Sequence, residues 1–432
     1  MFPKKPKSKK LIYLDHAATT PVDPIVKKAM EPFYCDQFAN PSGICTSSRK
    51  VNGALNDARR TVSQILGTLP DTIIFTGGGS ESDNLAIFGV AHKHSKNGKH
   101  IITLKIEHHA VLHPMGQLQK EGFDVTYLDV DEFGFVTPEQ VMKAIRPDTI
   151  LISIMYANNE IGTVEPIADI GRALLKYRKE KGGPSAIRQA HGAEQGRSTG
   201  SGQAIYPFFH SDACQAAGAL DLNVEKLHVD LMTLNGSKIY GPKGVGILYK
   251  RRDVDIQPLI FGGSQELGMR AGTENVPGII GVAKALEVVQ SNKEKENKRL
   301  AKLRNYFWSK IQAQIPKVRL NGPHLGDKLD RLPNNLNISI LDIEGEALLL
   351  YLDEYGIACS TGSACNSQSL DPSHVLTACG MPYEYAHGSL RFTLGHTTKK
   401  SDIDYVMKYL PGIVEKLRTM SPVDLVFKPK KM

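Results

Sequence analysis

No uninterrupted apolar stretch approaches the ~20 residues that a helix needs to cross a bilayer, so no membrane-spanning helix is expected. The N-terminus, Met-Phe-Pro-Lys-Lys-Pro-Lys-Ser-Lys-Lys, leads into no apolar core. It reads as a disordered basic arm and not as a secretory signal. Cysteine is sparse. Cys35, Cys45, Cys214, Cys359, Cys365 and Cys379 in 432 residues make no disulfide framework, and no Cys-x-x-Cys pair points to zinc. A reducing cytoplasm is the expected setting. Charge of one sign is also scarce in the body of the chain. The formal net charge is +8, and Lys4, Lys5, Lys7, Lys9, Lys10, Lys428, Lys430 and Lys431 equal that whole excess. Basic tails on a near-neutral body do not indicate a stable nucleic-acid complex, although tRNA stays open as a partner. No internal repeat is found.

The composition is that of an ordinary globular protein, 41 % hydrophobic and 23 % charged. At 432 residues, two packed domains are expected. Short β-branched runs (72–76, 101–106, 125–130, 150–156, 208–212, 231–234 and 245–249) alternate with amphipathic segments such as 84–94, 110–120, 138–145 and 167–178. That alternation predicts an α/β fold with a mainly parallel sheet covered by helices. After about residue 275 the pattern changes to a long helix over 276–315, a strand over 336–341, a helix over 344–354 and a final helix over 402–419, a smaller α+β domain. The expected division is an N-terminal arm over 1–20 that ends against the small domain, a large domain over 21–270, and a small domain over 271–432 with a loop at 357–372. Residues 182–203, rich in Gly, Ser, Gln and Arg, read as a flexible insertion.

Six short segments carry chemistry, and five of them fall where a strand is expected to end. Ligands of open α/β sheets bind at such ends. Asn235-Gly-Ser-Lys238 places a lysine in a loop of small residues, where an aldehyde can approach closely and form a Schiff base. Lys243, five residues on, reads as a surface residue. Thr76-Gly-Gly-Gly-Ser80 precedes a helix and offers backbone N–H groups to a phosphate, and no Gly-Lys-Ser/Thr closes it as a Walker loop would. His210-Ser-Asp-Ala-Cys-Gln215 puts Asp212 where it can face a protonated pyridine nitrogen, or equally cap a helix, with Gln215 in reach of a phenolic oxygen. Glu107-His108 offers an imidazole that can stack on a flat ring and move protons, or simply cap the next helix. Tyr156-Ala-Asn-Asn159 offers amides to a carboxylate or ring oxygen, or is only a turn. The sixth segment, Cys359-Ser-Thr-Gly-Ser-Ala-Cys365, sets Cys365 among small polar residues, as suits an exposed thiol that must travel. Cys359 follows Gly-Ile-Ala and reads as structural. Arg391, in the alternating Leu390–Leu394, can hold a carboxylate in a fork or form a surface ion pair.

Taken together, Tyr13-Leu-Asp-His-Ala-Ala-Thr-Thr-Pro21, Glu81-Ser-Asp-Asn84, Asn158-Asn-Glu-Ile-Gly162, Lys238-Ile-Tyr-Gly-Pro-Lys-Gly244, Met269-Arg-Ala-Gly-Thr-Glu-Asn275 and Gly362-Ser-Ala-Cys365 resemble the cysteine desulfurases of the NifS/IscS type. These are class-V members of the fold-type-I pyridoxal-phosphate enzymes. The resemblance runs from Tyr13 to about Pro422. It implies pyridoxal 5'-phosphate held covalently by Lys238, with His108 stacked on the ring, Asp212 on the pyridine nitrogen, and Gln215 and Asn159 on the ring-oxygen side. It implies phosphate ligands at Gly79, Ser80, Asn235 and Ser237, and at Thr273 reaching the other subunit of a homodimer. Arg391 and Asn159 would bind the carboxylate of L-cysteine. Cys365 would take the sulfur as a persulfide, leaving L-alanine, and pass it to an iron–sulfur scaffold, a sulfur carrier or a tRNA-thiolation protein. No resident metal is implied, though the same thiol would ligate a transferred iron–sulfur cluster. A selenocysteine lyase would share this whole set, another class-V aminotransferase or lyase all but the Cys365 loop; a non-catalytic scaffold partner would not need Lys238, Asp212 and Cys365 intact. The chain departs from the pattern at Ser237 (usually His), Asn235 (usually Ser) and Leu267 (usually Arg), in Asn40–Thr46, which lacks a His, in the 182–203 insertion and in the short basic C-terminus.

Overall fold

The computed structural model describes residues 2–6, 10–181, 206–326, 330–361 and 372–421. Its strands are β1 (Ile12–Tyr13), β2 (Ile73–Thr76), β3 (His100–Leu104), β4 (Asp124–Leu128), β5 (Thr149–Ser153), β6 (Phe208–Asp212), β7 (Leu231–Asn235), β8 (Gly246–Lys250), β9 (Val318–Leu320), β10 (Asn335–Ile340), β11 (Ile357–Ala358) and β12 (Ser389–Thr393). Seven of them form one sheet in the order β2-β8-β7-β6-β5-β3-β4. All neighbours run parallel except β8, which is antiparallel to both β7 and β2. Alternation along the strands sends residues to both faces. Ile150, Leu151 and Phe208 pack under the helices Gly79–His94 and His109–Lys120, while Ile152 and Phe209 pack with Val51, Leu55, Ile170 and Leu174 on the opposite face. A parallel sheet buried on both faces explains why these strands read as continuous apolar runs. The α/β fold is as expected.

The expected run 208–212 matches β6 at both ends, and the other strand ends differ from the apolar runs by up to three residues. Ile106, Ile154, Met155 and Tyr156 lie beyond the last paired residues of β3 and β5 and are buried all the same. They are loop residues packed at the carboxyl edge of the sheet, where the site lies. The helix expected over 84–94 begins at Gly79, and it is buried on several sides instead of presenting one polar face.

A second sheet, β12-β10-β9, is antiparallel, and its core contains Leu336, Ile338, Phe392, Phe307, Ile403 and Leu410. The helix Val276–Gln314, 39 residues long, joins the two cores. Val276, Ile279, Val282, Leu286 and Val289 belong to the larger cluster, and Leu300, Phe307 and Ile311 to the smaller. Val375, Leu376, Cys379 and Met381 also pack on the larger cluster. The hydrophobic clusters therefore divide within this helix and not at residue 271. The arm is also more ordered than its basic composition suggests. Phe2 stacks on Tyr351 at 4.3 Å, the Tyr355 hydroxyl donates to the Pro3 carbonyl at 2.6 Å, and β1 adds to β11. An aromatic ring and a proline amid the lysines are enough to fasten residues 2–6. Residues 182–203 and the loop bearing Cys365 lie outside the described residues. Among the described residues no helix is long and apolar enough to cross a membrane.

Candidate active site

The helix Gly79–His94 starts at Gly78, whose φ of 153° and ψ of 178° suit glycine, and no side chain caps it. The first-turn N–H groups are thus left for an outside acceptor, with the helix dipole adding to their pull. Gly79 is buried and admits no side chain. A Cβ there would lie 2.8 Å from Cys214 Sγ and 3.3 Å from Asn235 Nδ2. Ser80 is exposed at the same helix end. Asn235 Oδ1 accepts from the Ser237 backbone N–H at 3.1 Å and from its hydroxyl at 3.2 Å. Helix N-terminus, Asn235 and Ser237 therefore form one corner whose donors could hold an anion.

Lys238 ends the short turn after β7 and is half-buried, its Nζ donating to the Ala18 carbonyl at 2.5 Å. Lys243 is exposed, as expected. At the end of β6, Asp212 Oδ1 accepts from the Cys214 N–H at 2.9 Å, so it caps the following turn while its carboxylate stays at the strand end. His108 likewise caps the helix His109–Lys120, its Nδ1 accepting from the Ala110 N–H at 3.1 Å. That bond makes Nδ1 the acceptor and leaves Nε2 to carry the ring proton. Burial lowers the His108 pKa, with Lys238 nearby lowering it further and Asp212 opposing. The helix cap expected as an alternative is present at His108, while Asp212 caps a turn and no helix; each bond orients its side chain for the site.

The opening segment gathers the remaining groups. Gln215 Nε2 donates to the Ala17 carbonyl at 3.0 Å, and Thr20 N–H to the Ser237 carbonyl at 2.9 Å. Arg391 is buried at 4 % exposure and is no surface ion pair. It donates to Asp15 Oδ1 at 2.8 Å and to the Asn159 carbonyl at 3.0 Å, and its Nε has no partner among the described residues. Asn159 thus meets Arg391 through its backbone and not through its amide. Asp15 is a site residue that sequence reasoning missed; it lies in the opening motif, but nothing in a spacing of 376 residues signals the contact.

Cys365 lies outside the described residues, yet both flanks of its segment reach the site. Ser360 exchanges backbone bonds with Arg391 at 3.1 and 2.7 Å. On the other side the Ser373 hydroxyl bonds Glu160, and His374 Nε2 lies 2.9 Å from the Glu107 carbonyl. Cys359 is buried and its thiol is pushed well above the usual range by burial, which suits the structural role expected of it. Thr273 is exposed, and its side chain makes no hydrogen bond among the described residues. Leu267, where the family has Arg, is exposed at φ 60°. Its neighbour Glu266 is buried against Arg59, with bonds of 2.6 and 3.0 Å.

These donors suit pyridoxal phosphate: N–H groups and hydroxyls for the phosphate, an amine for the aldehyde, a carboxylate for a protonated ring nitrogen and an imidazole for the ring face. The unpartnered Nε of buried Arg391 suits a substrate carboxylate.

The class-V aminotransferase family profile matches residues 12–179 and 205–406. A cysteine desulfurase IscS of Dictyoglomus turgidum is 49 % identical over 423 residues, covering 98 % of this chain and 99 % of that one. One from Clostridium botulinum is 50 % identical over 414 residues, covering 96 % and 97 %. Among solved structures, a NifS-like protein superposes with a TM-score of 0.82 at 35 % identity, over 94 % of this chain and 100 % of the other. A structure described as SspA in complex with cysteine gives a TM-score of 0.72 at 36 % identity, over 90 % and 99 %. The chain belongs to the cysteine desulfurases of the NifS/IscS type, pyridoxal-phosphate enzymes of the class-V aminotransferase family.

Proposed function

We propose that this enzyme converts L-cysteine to L-alanine and stores the sulfur as a persulfide on Cys365, for delivery to an iron–sulfur scaffold or a sulfur carrier. The observation that carries this is the meeting of His108, Asp212 and Lys238 at the ends of β3, β6 and β7, beside an uncapped helix N-terminus. The cysteine-bound relative supports the substrate class. Pyridoxal phosphate, once bound, supplies an electron sink for charge developing at the substrate α-carbon.

The roles of the residues follow from their positions. Gly79, Ser80, Asn235 and Ser237 would hold the phosphate, and Thr273 would reach the phosphate of the partner subunit. Asp212 would keep a proton on the ring nitrogen, and Gln215 would face the ring oxygen. Lys238 Nζ would leave the Ala18 carbonyl to hold the cofactor, then take the proton from the α-carbon. His108 Nε2 carries a proton that it can share with substrate or sulfur. Arg391 would grip the substrate carboxylate with its free Nε, held in place by Asp15 and the Asn159 carbonyl. The Cys365 thiolate attacks the substrate sulfur. The carbon–sulfur bond breaks with its electron pair left on the β-carbon, which takes up a proton; the α-carbon takes back the proton held by Lys238, alanine results, and Cys365 keeps the sulfur as a persulfide.

Two expected results test these assignments. Arg391→Ala should raise the KM for cysteine by roughly ten- to a hundredfold, the range for losing one charge-assisted bond to a carboxylate. Steady-state kinetics with cofactor affinity as a control reads this, and an unchanged KM would remove Arg391 from the substrate site. Sedimentation should show a dimer, and Thr273→Ala should weaken cofactor binding in it by up to about tenfold. A fully active monomer would contradict the role of Thr273.

A further inference from the structure

A buried polar layer lies beneath the strand ends, and the roles above leave it unused. Strand alternation puts Phe208, His210 and Asp212 on one face of β6. That face is covered by the helix Gly79–His94, since Phe208 packs with its Leu85, Ile87 and Val90. His210 is fully buried. Its Nδ1 lies 2.9 Å from Ser153 Oγ on β5, and its Nε2 lies 3.0 Å from Thr233 Oγ1 on β7. Thr233 is the register partner of Asp212 across β6 and β7. Asp83 reaches this row from the helix, one turn beyond Gly79. Its Oδ1 stands 3.7 Å from His210 Nε2, and the Thr233 side chain lies beside the carboxyl. That Oδ1 is buried with no hydrogen-bond partner among the described residues. An unpartnered buried oxygen is a standing cost to the fold, so what it faces matters.

We propose that Asp83, acting through Thr233 and His210, is a positioning residue for Asp212, tying the helix that would cradle the cofactor phosphate to the carboxylate that would meet the ring nitrogen. The proposal rests on the role given to Asp212 above. Charges support it. Burial first, and then the Asp212 charge, hold the Asp83 carboxyl well above its usual range, while burial pushes His210 down to about 4. Burial thus disfavours an ion pair between Asp83 and His210. Burial likewise disfavours the charged forms of the other groups facing Asp212, raising Glu107 and Cys214 and lowering His108. Lys238 is the cation facing this set. A protonated Asp83 can donate into the layer where an ionised one would repel Asp212.

The test uses the full-length protein, loaded with pyridoxal phosphate and again after its removal. Asp83→Leu removes the polar group and puts a somewhat larger apolar side chain in its place. Thr233→Val removes only the bridging hydroxyl, and it carries the test if the leucine variant does not fold. Both are expected to weaken cofactor affinity roughly tenfold and to raise the pH midpoint of the visible absorption band by about half a unit or more. The shift is upward because a ring nitrogen without its proton no longer repels the proton on the Lys238 imine. Asp83→Asn, which keeps shape and a donor, should restore both readouts. Packing loss alone would lower thermal stability and leave the midpoint in place. Equal midpoints in the asparagine and leucine variants, or an unmoved midpoint in Thr233→Val, would overturn the proposal. Asp212→Asn separates the two claims. If it changes neither affinity nor midpoint, the role of Asp212 falls. If it changes both while Asp83→Leu and Thr233→Val change neither, only the positioning role falls.

Discussion

Cys365→Ala should give a yellow protein that takes up cofactor normally, changes its visible spectrum when cysteine is added, and makes almost no alanine, a loss on the order of a thousandfold or more. The physical reason is a division of labour. The groups that would hold the cofactor and move the α-proton, His108, Asp212 and Lys238, sit on the rigid ends of the large sheet. The thiol proposed to accept sulfur belongs to a separate segment, whose flanks at Ser360 and Ser373 are fastened beside Arg391 and Glu160. Removing the thiol leaves the sheet ends untouched. Cys359→Ala should cost little activity, because that thiol is buried and held protonated by burial. Measuring alanine formation and cysteine-induced spectral change in the two variants checks this. Wild-type turnover by Cys365→Ala would point to a plain lyase or aminotransferase reaction.

Lys238→Ala should fail earlier and more severely. The proposed covalent hold on the cofactor and the proposed base for the α-proton would both be lost, so a fall on the order of ten-thousandfold or more is expected. Borohydride should then attach no cofactor to the protein, whereas Lys243→Ala, at an exposed position, should label as wild type does. Cofactor should still bind weakly, because the uncapped helix N-terminus, Asn235 and Ser237 remain. Peptide mapping of the reduced protein decides between the two lysines, and label on Lys243 would overturn the assignment.

Much of this site was readable in the residues because its parts lie at turns. A lysine after Asn235-Gly-Ser, glycines before a helix and an acid at a strand end each announce themselves locally, and the structure gathers them at one sheet edge. What could not be read is what tertiary packing decides. Asp15 pairs with Arg391 across 376 residues. Asp83 meets His210 only because a helix lies over β6 in this register. His108 and Asp212 each had two readings, capping and catalytic, and the capping bonds hold both side chains at the strand ends, so the two were never exclusive. The strand limits were misplaced for a related reason. Ile106 and Ile154 are as buried as any strand residue but line loops beneath the site. Likewise the first residues of the arm looked disordered because its lysines outweigh Phe2 and Pro3, which do the packing.

The most direct test of the central claim is to mix the loaded enzyme with one equivalent of L-cysteine, quench it, and locate added sulfur by peptide mass spectrometry. One extra sulfur atom on the peptide containing Cys365, matched by one alanine formed, is the predicted result. Alanine formed with the sulfur on Cys359 or Cys45, or with no protein-bound sulfur at all, would contradict it.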